Sequence, residues 1–159
     1  MDDRPLLRFS RAALPALVAA ALLSCVTAAP VLERPEGFAL FRGETYRAIT
    51  PEGVVLGVRV VANDPPQDQA FWAEAIKVQL ASNGYRLLAQ EAFKAPIGEG
   101  NLYEWVAPVG GEDWVYMTAL AVRGPDIVVV EAAGSFSYYR EHRPALLRSL
   151  ASLSLPERK

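Results

Sequence analysis

Trp114-Val115-Tyr116-Met117-Thr118-Ala119-Leu120-Ala121-Val122 and Ile127-Val128-Val129-Val130-Glu131-Ala132-Ala133, joined through Arg123 and the turn Gly124-Pro125-Asp126, decide the fold. Both runs are rich in β-branched and aromatic residues, the composition of strands. A strand with one wet face alternates apolar and polar residues. These two are apolar on both alternating sets, which predicts a pair at the centre of a sheet with both faces covered. The short turn makes them antiparallel neighbours.

Working outward, Leu102–Ala107 and Tyr85–Phe93 read as further strands, with a turn at Pro108-Val109-Gly110-Gly111 leading into Trp114. Val54–Ala62 is another strand. With Phe38–Ile49 it forms a hairpin around Thr50-Pro51-Glu52-Gly53, a turn with Pro second and Gly fourth. Asn63-Asp64-Pro65-Pro66 ends the hairpin, and Asp64 or Asp68 is placed to cap a helix. In that helix Trp72, Ile76 and Leu80 recur at i, i+4, i+8, with Phe71, Ala75 and Val78 broadening the apolar face. Glu74, Lys77 and Gln79 face away, and Asn83-Gly84 closes the helix. A second helix is expected to open at Pro144, with Leu146, Leu150 and Leu153 as its stripe and Pro156 as its stop. The expected fold is α+β: a single antiparallel sheet of about five to six strands with two main helices packed on it. Residues 38–155 form one globular domain and 156–159 a tail.

Composition excludes several function classes. The chain is 52% hydrophobic and 21% charged, which is globular rather than disordered. Its formal net charge of -2, with no Lys/Arg cluster, argues against nucleic acid as a partner and against a polybasic grip on lipid. Cys25 is the single cysteine, so no intramolecular disulfide forms.

The N-terminus reads as an export device. Arg4, Arg8 and Arg11 precede the uncharged apolar run of residues 12–23, which suits the h-region of a signal peptide helix. It is short of the ~20 residues a membrane-spanning helix needs. Leu22-Leu23-Ser24-Cys25 follows directly and resembles the bacterial lipobox. That resemblance implies a lipoprotein signal peptide over residues 1–24, cleavage between Ser24 and Cys25, and a diacylglyceryl group on Cys25 with N-acylation such as palmitate. Val26 rather than Asp after the cysteine implies the outer membrane, periplasmic face, in a Gram-negative cell, and otherwise the outer face of the cell membrane. The alternatives are an ordinary signal cut after Ala28-Ala29 and a short uncleaved anchor. Residues 25–37 hold two prolines and a glycine and are expected to be a lipid-anchored tether.

The layout of early hairpin, helix, antiparallel strands and leucine-striped helix, with the phrases FWAEAIKVQLASNGY (71–85) and IVVVEAAG (127–134), resembles the PsbP/DcrB-like proteins. The resemblance implies their sandwich of sheet and helices and a peripheral or lipid-anchored, non-enzymatic role. It brings no active site with it.

Candidate chemistry is sparse. His142, the only histidine, lies in the polar stretch Arg140–Arg143 and reads as a solvated residue ahead of the helix. No hydrolase set is expected around it. Asp64 with Asp68, and Glu112 with Asp113, lack the spacing and glycine of a calcium loop. Gly110-Gly111 reads as a turn rather than a phosphate loop. No catalytic residue, metal site or cofactor is expected. The aromatic set is the best lead. A tight turn at 108–111 places Trp105 opposite Trp114 and Tyr103 opposite Tyr116 on one sheet face, as a binding surface or as core beneath a helix. A smaller aromatic group, Phe136, Tyr138 and Tyr139, is expected to cover the entry to the last helix. The expected function is thus a membrane-anchored envelope protein that binds another envelope protein or a small ligand. The alternative is a small hydrolase using two carboxylates in a pocket of the sheet.

Overall fold

Gly124, at φ +56, turns the chain between two ten-residue strands, and this hairpin sits in the middle of everything else. The computed structural model describes residues 29–43, 46–107 and 113–157. The expected signal-peptide helix, the cleavage site and Cys25 lie outside the described residues, as do Gly110, Gly111 and Glu112. The elements are β1 (Ala39–Leu40), β2 (Arg47–Ile49), β3 (Val55–Ala62), α1 (Gln69–Ser82), β4 (Arg86–Ala95), β5 (Gly98–Ala107), β6 (Trp114–Arg123), β7 (Asp126–Ser135) and α2 (Phe136–Leu150). The strands form one seven-stranded antiparallel sheet in the order β1-β2-β3-β7-β6-β5-β4. That is more than the five to six expected. The break at Arg42-Gly43 splits Phe38–Ile49 into two short strands, β1 at the edge and β2 inside it, rather than one.

Alternation along β6 assigns the two faces. Val115, Met117, Ala119 and Ala121 share the larger core with Leu56, Val58, Val130 and, from α2, Tyr139, Leu146 and Leu150. Leu120, Tyr116 and Val122 point the other way, toward Trp72, Ala73, Ile76 and Leu80 of α1. The helices therefore cover opposite faces, and the doubly apolar central strands are explained. Burying a Leu- or Val-sized side chain contributes about 1.5–3 kcal/mol.

Two local readings are corrected. The second helix begins at Phe136, and Pro144 lies inside it rather than at its start. Pro144 has no N–H for the helix ladder, but Tyr139 and Arg143, both ahead of it, bond to Glu104 of the sheet and hold the first two turns. Within the expected tether, residues 31–36 lie against the body. Val31 and Ser154 exchange backbone hydrogen bonds of 2.8 and 2.9 Å. Glu33 N–H donates to Ser152 Oγ at 2.9 Å, the Ser149 hydroxyl donates to the Glu33 carbonyl, and Leu32 is buried. Leu32 and Pro35, both buried, supply the apolar surface that seats this strap.

Candidate functional site

The chain between β3 and α1 is organised by one side chain. Asn63, 7% exposed, donates from Nδ2 to the carbonyls of Gln67 (2.9 Å) and Gly124 (3.0 Å). Its Oδ1 accepts from Gln67 N–H (2.9 Å) and Trp72 Nε1–H (2.7 Å). All four hydrogen-bonding positions of the amide are used. Asp68, rather than Asp64, is the cap and accepts from Phe71 N–H at 2.8 Å. One residue on, Gln69 reaches the sheet. Its Oε1 accepts from Val122 N–H (2.8 Å), and its Nε2 donates to the Leu120 carbonyl (3.1 Å) and Asn101 Oδ1 (2.7 Å). The β5–β6 ladder stops at Asn101 and Leu120, so the glutamine amide takes the place of a strand there. Gly100 marks the same spot, since a Cβ on it would lie 2.5 Å from the Leu120 carbonyl oxygen.

Held this way, α1 covers only half of its face. Tyr103 and Trp105 beneath it are each 1% exposed. The half over β3 and β7 stays open, and a groove of about 380 Å³ runs beside the helix. Its floor is Leu120, Ile127 and Val129, one wall is Val61 with Arg59, and the other is Trp72, Ala75 and Ile76. On the outer side of α1, Phe71 and Val78 remain 48% and 60% exposed. Phe71, Ala75 and Val78 stand at i, i+4, i+7, so a second apolar stripe adjoins the groove.

Past Arg59 the open half-face turns polar. Glu131, half-buried on β7 opposite Gly57, accepts from Arg59 Nε (3.1 Å) and Nη2 (3.2 Å) and from the Tyr116 hydroxyl (2.5 Å). Burial pushes the Glu131 carboxyl up, but hydrogen bonds from Arg59 and Tyr116 and the guanidinium charge outweigh it and hold it below its ordinary value. Burial, followed by the bond to Glu131, raises the Tyr116 hydroxyl. A depressed carboxylate stabilises the fold fully above its unfolded value near ~4.3 and loses that contribution as pH falls through the lower folded value. A raised tyrosine stabilises below ~10 and loses the contribution as pH climbs past it. In Glu131→Gln, urea unfolding at pH 7 should show a loss of about 1 kcal/mol, with a flatter decline between neutral and strongly acidic pH than in wild type. An unchanged acid slope would count against this assignment.

The opposite face carries the same trio. Glu104, buried on β5, accepts from the Tyr139 hydroxyl (2.5 Å) and from Arg143 Nε (2.7 Å), and Arg143 Nη2 continues to Glu91 (2.6 Å). Tyr139 and Arg143 are one helical turn apart on α2, so both reach a single acid.

All four aromatics of the expected set fall on the α1 face, but their pairing is two residues off. Trp105 lies opposite Tyr116, Tyr103 opposite Thr118, and Trp114 opposite Ala107. Tyr103 and Trp105 are core, their rings 5.8 Å apart, and Trp105 Nε1 donates to Thr118 Oγ1 at 3.1 Å. Trp114 and Tyr116 are half-buried. The accessible apolar surface on this face is the groove and the stripe of α1, which the aromatic ladder did not indicate. The signal was the breadth of the α1 apolar face, wider than one sheet half covers. The smaller aromatic group divides as well: Tyr139 is buried, whereas Phe136 and Tyr138 are exposed. His142 is not solvated ahead of a helix. It lies within α2, its side chain 16% exposed, with its ring edge-on to Phe38 at 5.5 Å and Nε2 3.2 Å from Glu52 Oε2. Backbone hydrogen bonding, followed by the Thr50 hydroxyl, holds the Glu52 carboxyl below its ordinary value. Asp64 lines one end of the groove, and Asp113 lends its carbonyl to Phe136 N–H at 2.8 Å.

No protein-family model and no curated protein matches the chain. Solved structures do match in shape. A Pseudomonas aeruginosa protein of unknown function, PA94, is similar with a TM-score of 0.58 at 12% identity, covering 82% of this chain and 99% of its own. Cyanobacterial PsbP from Synechocystis sp. PCC 6803 is similar with a TM-score of 0.53 at 10% identity, covering 88% of this chain and 99% of its own. Identities this low speak for the fold alone, and in fold this α+β chain is PsbP-like.

Proposed function

We propose that the chain is an exported, lipid-anchored, non-enzymatic envelope protein that binds apolar side chains of a partner protein along α1. The observation that carries the binding role is the half-covered sheet face. An open apolar groove continues onto Phe71, Ala75 and Val78, so the apolar surface extends outside the concavity onto the helix. Surface of that extent suits a protein partner better than a small ligand, which a pocket would enclose. The location rests on Leu22-Leu23-Ser24-Cys25 after the apolar run. Lipid on Cys25 supplies stable anchoring once two or more acyl chains are present. Among the described residues no helix is long and apolar enough to cross a membrane.

The hydrolase alternative finds less support. Glu131 is held ionised by Arg59 and Tyr116, and Glu104 accepts from the Tyr139 hydroxyl and is paired with Arg143. An acid catalyst needs a carboxyl held protonated.

Photo-crosslinking in intact cells tests the binding surface. A photoreactive residue at Val78 or Phe71 should give an adduct of discrete mass, and one at Lys94, on the β4–β5 hairpin, should not. Adding Ala75→Arg should cut the Val78 adduct at least ~10-fold, the loss expected when a charge is buried in an apolar contact. Equal adducts from Val78 and Lys94 would remove the groove from consideration. Labelling with a clickable fatty acid tests the anchor: label that persists in Cys25→Ala rules out acylation at that site.

A further inference from the structure

The described chain begins at one edge of the sheet, and that edge is apolar. Val31, Leu40 and Phe41 are 52%, 49% and 52% exposed. Leu40 ends β1, the outermost strand, and Phe41 follows it. Ala29 and Pro30 line a shallow depression together with Leu40, Phe41 and Arg47. The Arg47 guanidinium lies 5.7 Å from the centre of the Phe41 ring, and Arg42 is exposed beside it. Exposed rings and aliphatic chains under a fringe of arginines are what a headgroup–acyl boundary accommodates.

Chain length narrows the geometry. Cys25 and Ala29 are four positions apart, a reach of at most ~14 Å when fully extended. A body tied so closely through this edge cannot hold Leu40 and Phe41 far from the lipid that holds Cys25. We infer that the β1 edge, with Val31, Leu40 and Phe41 flanked by Arg42 and Arg47, rests on the surface of the bilayer. The apolar side chains enter the boundary region and the two arginines lie at phosphate level. This rests on the lipid-anchored reading above and adds an orientation to it: the sheet stands with β1 toward the membrane and β4 away from it. Six inter-strand spacings separate those edges, roughly 29 Å at ~4.8 Å each.

The test uses the acylated full chain in vesicles of phosphatidylethanolamine and phosphatidylglycerol. Acylated Cys25 has no free thiol, so Phe41→Cys, Leu40→Cys or Leu88→Cys introduces a single reactive one for an environment-sensitive fluorophore. Leu88 on β4 is the matched control, 52% exposed like Phe41 but at the far edge. The expected result is blue-shifted emission at 40 and 41, with quenching by doxyl-labelled lipid several-fold stronger than at 88. Equal quenching at 41 and 88 in protein that floats with vesicles overturns the orientation and leaves the anchor standing. Wild-type protein that fails to float and takes up a thiol reagent at Cys25 overturns both.

Discussion

Replacing Asn63 with alanine will lower the melting temperature by roughly 10–20 °C, a larger effect than any surface substitution in α1. The side chain is buried and its amide makes four hydrogen bonds, to the Gln67 N–H and carbonyl, the Gly124 carbonyl and the Trp72 indole. Alanine orphans four groups at once. Each buried group left unsatisfied costs about 1–3 kcal/mol. Trp72 and Gly124 border the groove or the surface and recover water, so we expect about 3–5 kcal/mol in total. Asn63→Asp is the sharper test. Aspartate keeps the acceptor for Trp72 and Gln67 N–H, but sets an oxygen against the Gln67 and Gly124 carbonyls in place of a donor. It should be at least as damaging as alanine despite matching the shape. Thermal unfolding followed by near-ultraviolet circular dichroism checks both, and a tolerated aspartate would show that the hub is not held by its donors. Asn83→Ala, which loses one exposed bond to the Gln79 carbonyl, should shift the midpoint by only a few degrees.

Arg143→Ala is the second large effect, and its partner variant gives it meaning. Removing the guanidinium leaves the Glu104 side chain, 7% exposed, with only the Tyr139 hydroxyl as a donor. An unpaired buried carboxylate costs about 3–5 kcal/mol. Arg143 is 30% exposed, so water relieves part of this, and about 2–4 kcal/mol is expected. The double variant Glu104→Leu with Arg143→Met should recover most of the loss, because the ion pair also carries a desolvation cost. Chemical denaturation of the two singles and the double closes the cycle. Additive effects, with a double variant as unstable as the sum, would mean that the pair does not act as a unit.

The parts legible in the sequence were those set by short-range pattern. Apolar residues on both alternating sets of Trp114–Val122 and Ile127–Ala133 required cover on both faces, and α1 and α2 supply it. Asp68, Asn83-Gly84 and the Thr50–Gly53 turn are local signals that the fold keeps, with Gly53 N–H donating to the Thr50 carbonyl at 3.0 Å. What stayed hidden depends on distant partners. The pairing of Ala107 with Trp114 makes the β5–β6 connection two residues longer than a turn confined to 108–111. A two-residue shift preserves side-chain parity, so the face was legible and the opposing pairs were not. The proline rule placed the α2 start at residue 144, whereas Tyr139 and Arg143 bond to Glu104, 35 and 39 residues earlier, and support the preceding turns. The breadth of the apolar face of α1 was visible. Which part stays uncovered depends on where the helix crosses the sheet, set by Gln69 on the main chain of β6 and Asn63 on the Gly124 carbonyl.

The pairing of β3 with β7 bears on how such a molecule assembles. Arg59 and Glu131, partners across that seam, are 72 residues apart in the chain, while β4, β5, β6 and β7 follow one another as a meander. For a polypeptide emerging from a ribosome or a translocation pore N-terminus first, the early hairpin has no surface to zip onto until nearly the whole domain has come through. Closing so long a loop is entropically slow, so nucleation belongs to the later hairpins and β3 docks last. The strap of residues 31–36 lies against α2 and Ser154, so it too waits for the C-terminal segment. The order of synthesis thus leaves the surface beside residues 31–36 among the last to form.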